Sequence, residues 1–326
     1  MSLGQEQGAK VKKDPQNRKH DSSTSIIHCT WEVDRMNLQT FWERQCQLFL
    51  KKSRDGELLD FLERKRRVFE NRGYQMVRMQ AYGKPVGRYR DESDNQKITY
   101  DLHLSWLVRK KDHWYMEEKK MLRTAVYKGD QWTEDRELSN PLNRDEEGNA
   151  NWQPSDVMEV RNPELSYTYD RRKAVQYAER WWNDYNPKYK KFDVDCTNFV
   201  SQCLHEGGAP MWGQPDRTKG WWMSDNSWSY SWSVANALRW YLSGSTKGFQ
   251  AEEVSSAEEL RPGDIICYDF EGDGKWNHNT IVVEKDANGE PLVNAHTQNS
   301  RHRYWSYEDS TAYTPNIQYK FFHIKG

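Results

Sequence analysis

The chain has 326 residues, more than one compact core usually needs, so we expect two domains. Its 48 basic and 49 acidic side chains nearly cancel, which argues against nucleic acid or an anionic membrane surface as the partner. No apolar run approaches the roughly 20 residues of a membrane-spanning helix.

Residues 1–25 are polar and lack the apolar segment of a secretory signal peptide, so we expect a disordered tail there. Two locations remain open from the sequence. The protein stays in the cytoplasm, or a leader has been removed and it lies outside the cytoplasm or at the cell wall.

Residues 26–137 are expected to form a smaller α+β accessory domain. Apolar residues recur at helical intervals from 37 to 69, with a break near 53–56. After Gly73 the period changes to two, and "KITYDLHLSWLV" alternates as a half-buried strand does. Helices followed by an antiparallel sheet of three or four strands resemble cystatin-like domains. No catalytic set of residue types is apparent in this region.

Residues 138–168 are rich in Asn, Pro, Gly and acids, which is typical of a linker. The second domain, 169–326, begins with Asp170 as an N-cap before a helical pattern. A second helix is predicted in "VDCTNFVSQCLHEGG". Short strands are predicted at "DIICYDF", "NTIVVEK", "PLVNAHT" and "IQYKFFHI".

The cysteines are odd in number and irregularly spaced, which argues against a disulfide framework or a structural zinc site: Cys29, Cys46, Cys196, Cys203 and Cys267. Cys203 falls on the apolar face of the second helix and is most simply core. Cys196 falls in the first turn, where the helix dipole lowers a thiol pKa and backbone N–H groups can stabilise an oxyanion. Asp195 opposes this effect unless its carboxylate is engaged, and we interpret Asp195 and Asn198 as capping and helix-fixing groups.

A nucleophilic cysteine needs a base, and His278, just before the strand "TIVV", is the best-placed histidine. Asn294 and His296 share one strand face, and either could orient the imidazole. Spacing alone leaves a structural thiol open. A zinc site built from Cys196, His278 and His296 is a minor alternative, because the sequence lacks H-E-x-x-H and closely spaced ligand pairs.

The segments "YDRRKAVQYAERWW", "DCTNFVSQCLHEGG", "LRPGDIICYDF", "NHNTIVV" and "VNAHTQN" resemble successive motifs of the bacterial putative amidase domain. This family is related to the papain-like NlpC and CHAP cell-wall hydrolases. The resemblance covers residues 169–326 and implies a papain-like α+β fold, with the cysteine helix packed on an antiparallel sheet. It also implies Cys196 as nucleophile, His278 as general base and His296 as orienting group, with Asn294 behind it.

The leading hypothesis is a cofactor-free cysteine amidase or peptidase that hydrolyses amide bonds, with peptidoglycan peptides as the implied substrate. A rival hypothesis is a non-catalytic cell-wall-binding module on a degenerate hydrolase scaffold; another is a cytosolic thiol protease or acyltransferase. One aromatic cluster could either line a substrate cleft or close the core: Trp221, Trp222, Trp228 and Trp232.

Overall fold

A computed structural model describes residues 26–31, 37–51, 58–93, 95–128, 131–138 and 167–326. The predicted tail and nearly all of the predicted linker lie outside the described residues. Within them the chain has the predicted α+β fold, with helices packed on a large, mostly antiparallel sheet.

The N-terminal half consists of helices followed by long strands, as the change of period predicts. The elements are β1 (Ile26–Trp31), α1 (Asn37–Lys51), α2 (Asp60–Asn71), β2 (Gln75–Arg90), β3 (Gln96–Lys110), β4 (His113–Lys128) and β5 (Gln131–Glu137). Every second side chain of β3 from Ile98 to Val108 is buried. This face packs against Trp42 and Phe49 of α1 and Phe69 of α2, and so forms one apolar core.

The C-terminal half supplies the remaining helices and shorter strands. They are α3 (Arg171–Trp181), α4 (Cys196–Glu206), β6 (Met223–Ser224), β7 (Ser227–Trp228), α5 (Tyr230–Ser233), α6 (Ala235–Gly244), β8 (Ala251–Val254), β9 (Ile265–Asp269), β10 (His278–Lys285), β11 (Pro291–Ala295), β12 (Ser300–Tyr304) and β13 (Gln318–Ile324). Asp170 caps α3 as predicted, since its carboxylate accepts the Lys173 N–H at 3.1 Å.

One sheet runs through both halves of the described chain. Its strand order is β1-β2-β3-β4-β12-β11-β10-β9-β13-β8, and β5 also pairs with β4. The halves meet where β12 pairs with β4, with Ser300 opposite Lys119 and Arg301 opposite Glu118. Helix α2 of the N-terminal half therefore packs on the same sheet that contains β10 of the C-terminal half.

The strand register assigns His278 and Asn279 to opposite faces of this sheet. Asn279 lies opposite Cys267, which belongs to the core beneath α3, α4 and α6. His278 lies opposite Tyr268, on the face that forms a separate aromatic core with Phe270 and Tyr307. Because side chains alternate along a strand, the His278 imidazole lies with this aromatic core, on the sheet face opposite that of Asn279.

Arg301 holds the junction between the halves together. Its guanidinium contacts Glu118 of β4 at 2.7 Å and Glu179 of α3 at 2.6 Å. Burial alone would raise the pKa of Glu179, but His302 and then Arg301 outweigh it and lower this pKa to about 2. The charged form of Glu179 is therefore favoured in the folded protein.

Glu179→Gln should reduce the free energy of unfolding at neutral pH by about 1–2 kcal/mol, because a charged acceptor for Arg301 and His302 is lost. A depressed carboxylate pKa contributes stability above the unfolded value near 4.3, and this contribution disappears as pH falls toward about 2. Denaturant unfolding across this range should show a weaker pH dependence in the variant. Glu252→Gln is the control, because its 62 %-exposed side chain lies 3.5 Å from Lys325. Equal losses in the two variants would contradict a specific role for the junction.

Candidate active site

Cys196 is the first residue of α4, as predicted, and its side chain is only 1 % exposed. The Cys196 N–H, the expected oxyanion donor, donates to Oγ1 of Thr297 at 3.1 Å, and the Asp195 N–H donates to the same oxygen at 3.0 Å. Thr297 has φ of 72°, a conformation that β-branched residues rarely adopt. A threonine hydroxyl thus occupies the backbone donors at the start of the helix.

Asp195 occupies the N-cap position, but its carboxylate does not cap its own helix. It instead accepts hydrogen bonds from the Phe192 N–H at 3.0 Å and from Nδ2 of Asn198 at 2.9 Å. Asn198 also donates to the Lys190 carbonyl at 2.9 Å and accepts from the Trp232 indole at 2.8 Å. These hydrogen bonds join the start of α4 to the preceding loop.

His296 is committed to the same carboxylate and does not hydrogen-bond His278. Its Nδ1 lies 2.7 Å from Oδ2 of Asp195, and its Nε2 lies 2.7 Å from the Trp181 carbonyl oxygen. The two ring nitrogens of His296 are thus both engaged, one with a carboxyl group and one with a backbone carbonyl. His296 therefore keeps the acid next to Cys196 engaged.

The other expected orienting residue, Asn294, is also turned away from His278. It donates to Glu179 at 2.8 Å and accepts the His302 N–H at 2.9 Å. Neither expected orienting side chain therefore hydrogen-bonds His278, and a different residue does.

That residue is Tyr307, whose hydroxyl lies 2.9 Å from Nε2 of His278. Both side chains are completely buried, and the rings of Tyr268 and Phe270 pack around the imidazole. Burial, and then the charge of Arg303, lowers the pKa of His278 to about 3. Its Nδ1 is buried without a hydrogen-bond partner among the described residues. At neutral pH the ring is therefore neutral and has one uncommitted nitrogen.

Tyr307 also lies within electrostatic reach of the cysteine. Burial raises the pKa of Tyr307 to about 12 against the opposing charge of Arg303, and a Cys196 thiolate adds to the rise. Tyr307, in the loop after β12, therefore contacts His278 and also senses the charge of Cys196. Sequence reasoning missed this residue because it lies in a loop, 29 positions after His278.

Asn279 links β10 to α4, the helix that carries Cys196. Its Nδ2 donates to Oγ1 of Thr197 at 3.0 Å, one residue beyond Cys196. The loop before β10 is held by Asp269, whose carboxylate accepts the Gly272 and Gly274 N–H groups at 2.8 and 2.7 Å. The position of His278 at the start of β10 is therefore fixed from both sides.

Most of the four tryptophans proposed for a substrate cleft are instead buried in the core. Trp221, Trp222 and Trp232 are at most 1 % exposed, and the Trp221 and Trp232 ring centroids lie 4.7 Å apart. Trp228 is partly buried, and Nζ of Lys190 lies 4.4 Å from its ring centroid. Of the four cleft candidates, only Trp228 offers a ring to solvent.

Across the described ranges, no group of three or more His, Cys, Asp or Glu side chains is arranged to hold a metal ion. None of the helices in these ranges has the length and apolar character needed to cross a membrane.

Comparison with known proteins agrees with the motifs around these residues. Residues 168–322 match the family described as the putative amidase domain. The chain is 48% identical over 269 residues to the uncharacterized protein YhbB of Bacillus subtilis (strain 168), covering 82% of this chain and 86% of that protein. This chain belongs to the putative amidase domain family. The resemblance inferred from the sequence motifs is thereby confirmed.

A second protein is less similar to this chain. The uncharacterized protein YjcM of the same organism is 31% identical over 140 residues, which is 40% of this chain and 31% of that protein. No solved structure matches the chain.

The neutral, buried state of His278 predicts an acid-sensitive stability. Because its folded pKa lies near 3, below that of an unfolded histidine, its contribution is complete above about pH 6.5 and is lost as pH falls toward 3. Below pH 6.5, the free energy of unfolding of wild type should fall with decreasing pH more steeply than that of His278→Asn. The difference in slope should be up to about 1.4 kcal/mol per pH unit. Urea unfolding between about pH 7 and 5, above the carboxylate range, measures this difference. Equal slopes in the two proteins would show that folding does not lower the pKa of His278.

Proposed function

We propose that this protein is a cysteine amidase in which Cys196 is the nucleophile and His278 the general base. The observation that carries the proposal is the uncommitted Nδ1 of a buried, neutral imidazole whose other nitrogen is held by Tyr307. Buried polar atoms normally have partners, so a buried imidazole nitrogen without one is a candidate for a functional role. The family match supports amide hydrolysis as the reaction class.

The proposed reaction needs only groups of this chain and water. The Nε2–H of His278 donates to Tyr307, which leaves the Nδ1 lone pair to accept the thiol proton. The Cys196 sulfur attacks the amide carbonyl, and the imidazolium returns its proton to the leaving amine as the C–N bond breaks. Water, deprotonated by His278, then hydrolyses the thioester and restores the thiol.

The proposed oxyanion donor is the Cys196 N–H. In the structure this N–H donates to the Thr297 hydroxyl at 3.1 Å. We infer that substrate displaces this hydroxyl. Since Cys196 is 1 % exposed, substrate entry also requires the covering side chains to move.

The proposed substrate is an amide bond in peptidoglycan peptides, and this choice rests on the resemblance to cell-wall hydrolases. An acyltransferase would use the same thioester with an amine acceptor in place of water. The rival binding module loses support because three of its four candidate indoles are buried and cannot stack on a polymer.

Products released from purified peptidoglycan test the proposal by mass spectrometry. Wild type should release peptide fragments with new termini, and Cys196→Ala should release none, because the nucleophile is absent. Cys203→Ala is the matched control, since it removes another buried thiol from the same helix. Identical fragments from wild type and Cys196→Ala would contradict cysteine catalysis.

The role of Tyr307 makes a second prediction. Tyr307→Phe removes the hydroxyl that orients Nε2, so kcat should fall about 10- to 100-fold with a smaller change in KM. Tyr319→Phe is the control, because its hydroxyl donates to the Ser306 carbonyl at 2.8 Å and does not hydrogen-bond His278. Steady-state kinetics on a chromogenic peptide amide provide the measurement. A Tyr307→Phe enzyme as active as Tyr319→Phe would refute the orienting role.

A further inference from the structure

A lysine of the N-terminal half is buried at the junction with the C-terminal half. Lys65 of α2 is 2 % exposed, and its ammonium contacts the Glu117 carboxylate of β4 and Oδ2 of Asp309 at 2.6 Å. Asp309 lies in the loop after β12, the loop that also carries Tyr307. A buried ammonium is stable only when it is paired, so this contact ties that loop to α2.

The contact continues from Asp309 toward the site. Oδ1 of Asp309 lies 3.0 and 3.2 Å from Nη2 and Nε of Arg303 on β12. The guanidinium of Arg303 lies 3.8 Å from the centroid of the Tyr307 ring, and its Nη1 donates to Gln298 at 3.3 Å. This stacking fixes the ring of Tyr307, whose hydroxyl lies 2.9 Å from Nε2 of His278.

From these contacts we propose that Lys65 is a positioning residue for His278, so that the N-terminal half completes the active site. Lys65 holds Asp309, Asp309 holds Arg303, Arg303 supports the Tyr307 ring, and Tyr307 orients the imidazole. The inference rests on the proposed function only in taking His278 as the base. The link from Lys65 to the ring is structural and can be measured without turnover.

The alignment with YhbB is consistent with an integral N-terminal half. Its 269 matched residues exceed the span of residues 168–322 matched by the family model. The similarity between the two proteins therefore extends beyond the amidase domain itself.

The charges in this chain of contacts predict how His278 responds to loss of Lys65. Besides burial, the charge of Arg303 lowers the pKa of His278, and Arg303 and Lys65 both lower the pKa of Asp309. Without Lys65, the carboxylate of Asp309 compensates Arg303 more fully. Among the described residues, Tyr268 and Tyr307 also contact the ring, and both stay neutral because burial raises the pKa of each. The remaining titratable group is Cys196, the proposed proton donor. The pKa of His278 should therefore rise.

The test uses the full chain and three variants. Lys65→Met keeps an unbranched side chain against Phe69 and Trp106 but removes the charge. Lys65→Met/Glu117→Gln also removes the buried carboxylate that the single change would leave without its partner. Lys65→Arg, the conservative variant, keeps a cation in the same place.

Long-range ¹H–¹⁵N NMR of the histidine rings measures the tautomer and the pKa of His278 directly. The His278 signals are assigned by their absence in His278→Asn. We expect one neutral tautomer, protonated at Nε2, in wild type and Lys65→Arg. In both Met variants we expect mixed tautomers and a His278 pKa higher by about half a unit or more. Unchanged His278 signals in a folded Met variant would overturn the proposal.

Kinetics separate this inference from the proposed function. If the amidase proposal holds, kcat/KM in the Met variants should fall about tenfold at neutral pH. The acid limb of the plot of kcat/KM against pH should move to higher pH. Lys65→Arg should restore both properties. If wild type and Cys196→Ala are equally inactive, the amidase proposal fails. In that case a change in the His278 signals would still establish the link from Lys65.

Discussion

The buried hydrogen bond between Nε2 of His278 and the hydroxyl of Tyr307 is the interaction on which the proposed site depends. Both side chains are fully buried, so bulk solvent does not compete for this hydrogen bond. Burial keeps the ring neutral, and the tyrosine leaves Nδ1 uncommitted. The base we propose is therefore ready to accept a proton from a thiol, in contrast to a pre-formed pair of thiolate and imidazolium.

A separate set of hydrogen bonds engages Asp195, the acid next to Cys196, which is the proposed nucleophile. Asp195 would disfavour a thiolate at Cys196 through repulsion, but its carboxylate is held by His296, Asn198 and the Phe192 N–H. His296 and Asp195 are both buried, so this hydrogen bond is shielded from bulk water. The two histidines therefore differ in role: His278 is the proposed base, and His296 holds the carboxyl group next to Cys196.

Much of this architecture could be predicted from the sequence, because helical and strand periodicity are local properties. The alternation in β3, the Asp170 cap, and Cys196 at the start of α4 all follow from neighbouring residues. Tyr307 and Thr297 could not be predicted, since both act from irregular backbone with φ of 60° and 72°. The expected choice of His296 or Asn294 assumed that sharing a strand face brings a residue to His278, whereas other acceptors hold both. The Lys65 to Asp309 contact joins residues far apart in the chain, and local patterns carry no signal of it.

Acyl-enzyme trapping tests the central claim most directly. The protein is mixed with an activated peptide ester, quenched in acid within the first turnover, and analysed by intact mass and peptide mapping. The account predicts an added acyl mass on Cys196 in wild type, slower accumulation in His278→Asn, and none in Cys196→Ala. Turnover without any adduct on Cys196, or an adduct on another residue, would contradict it.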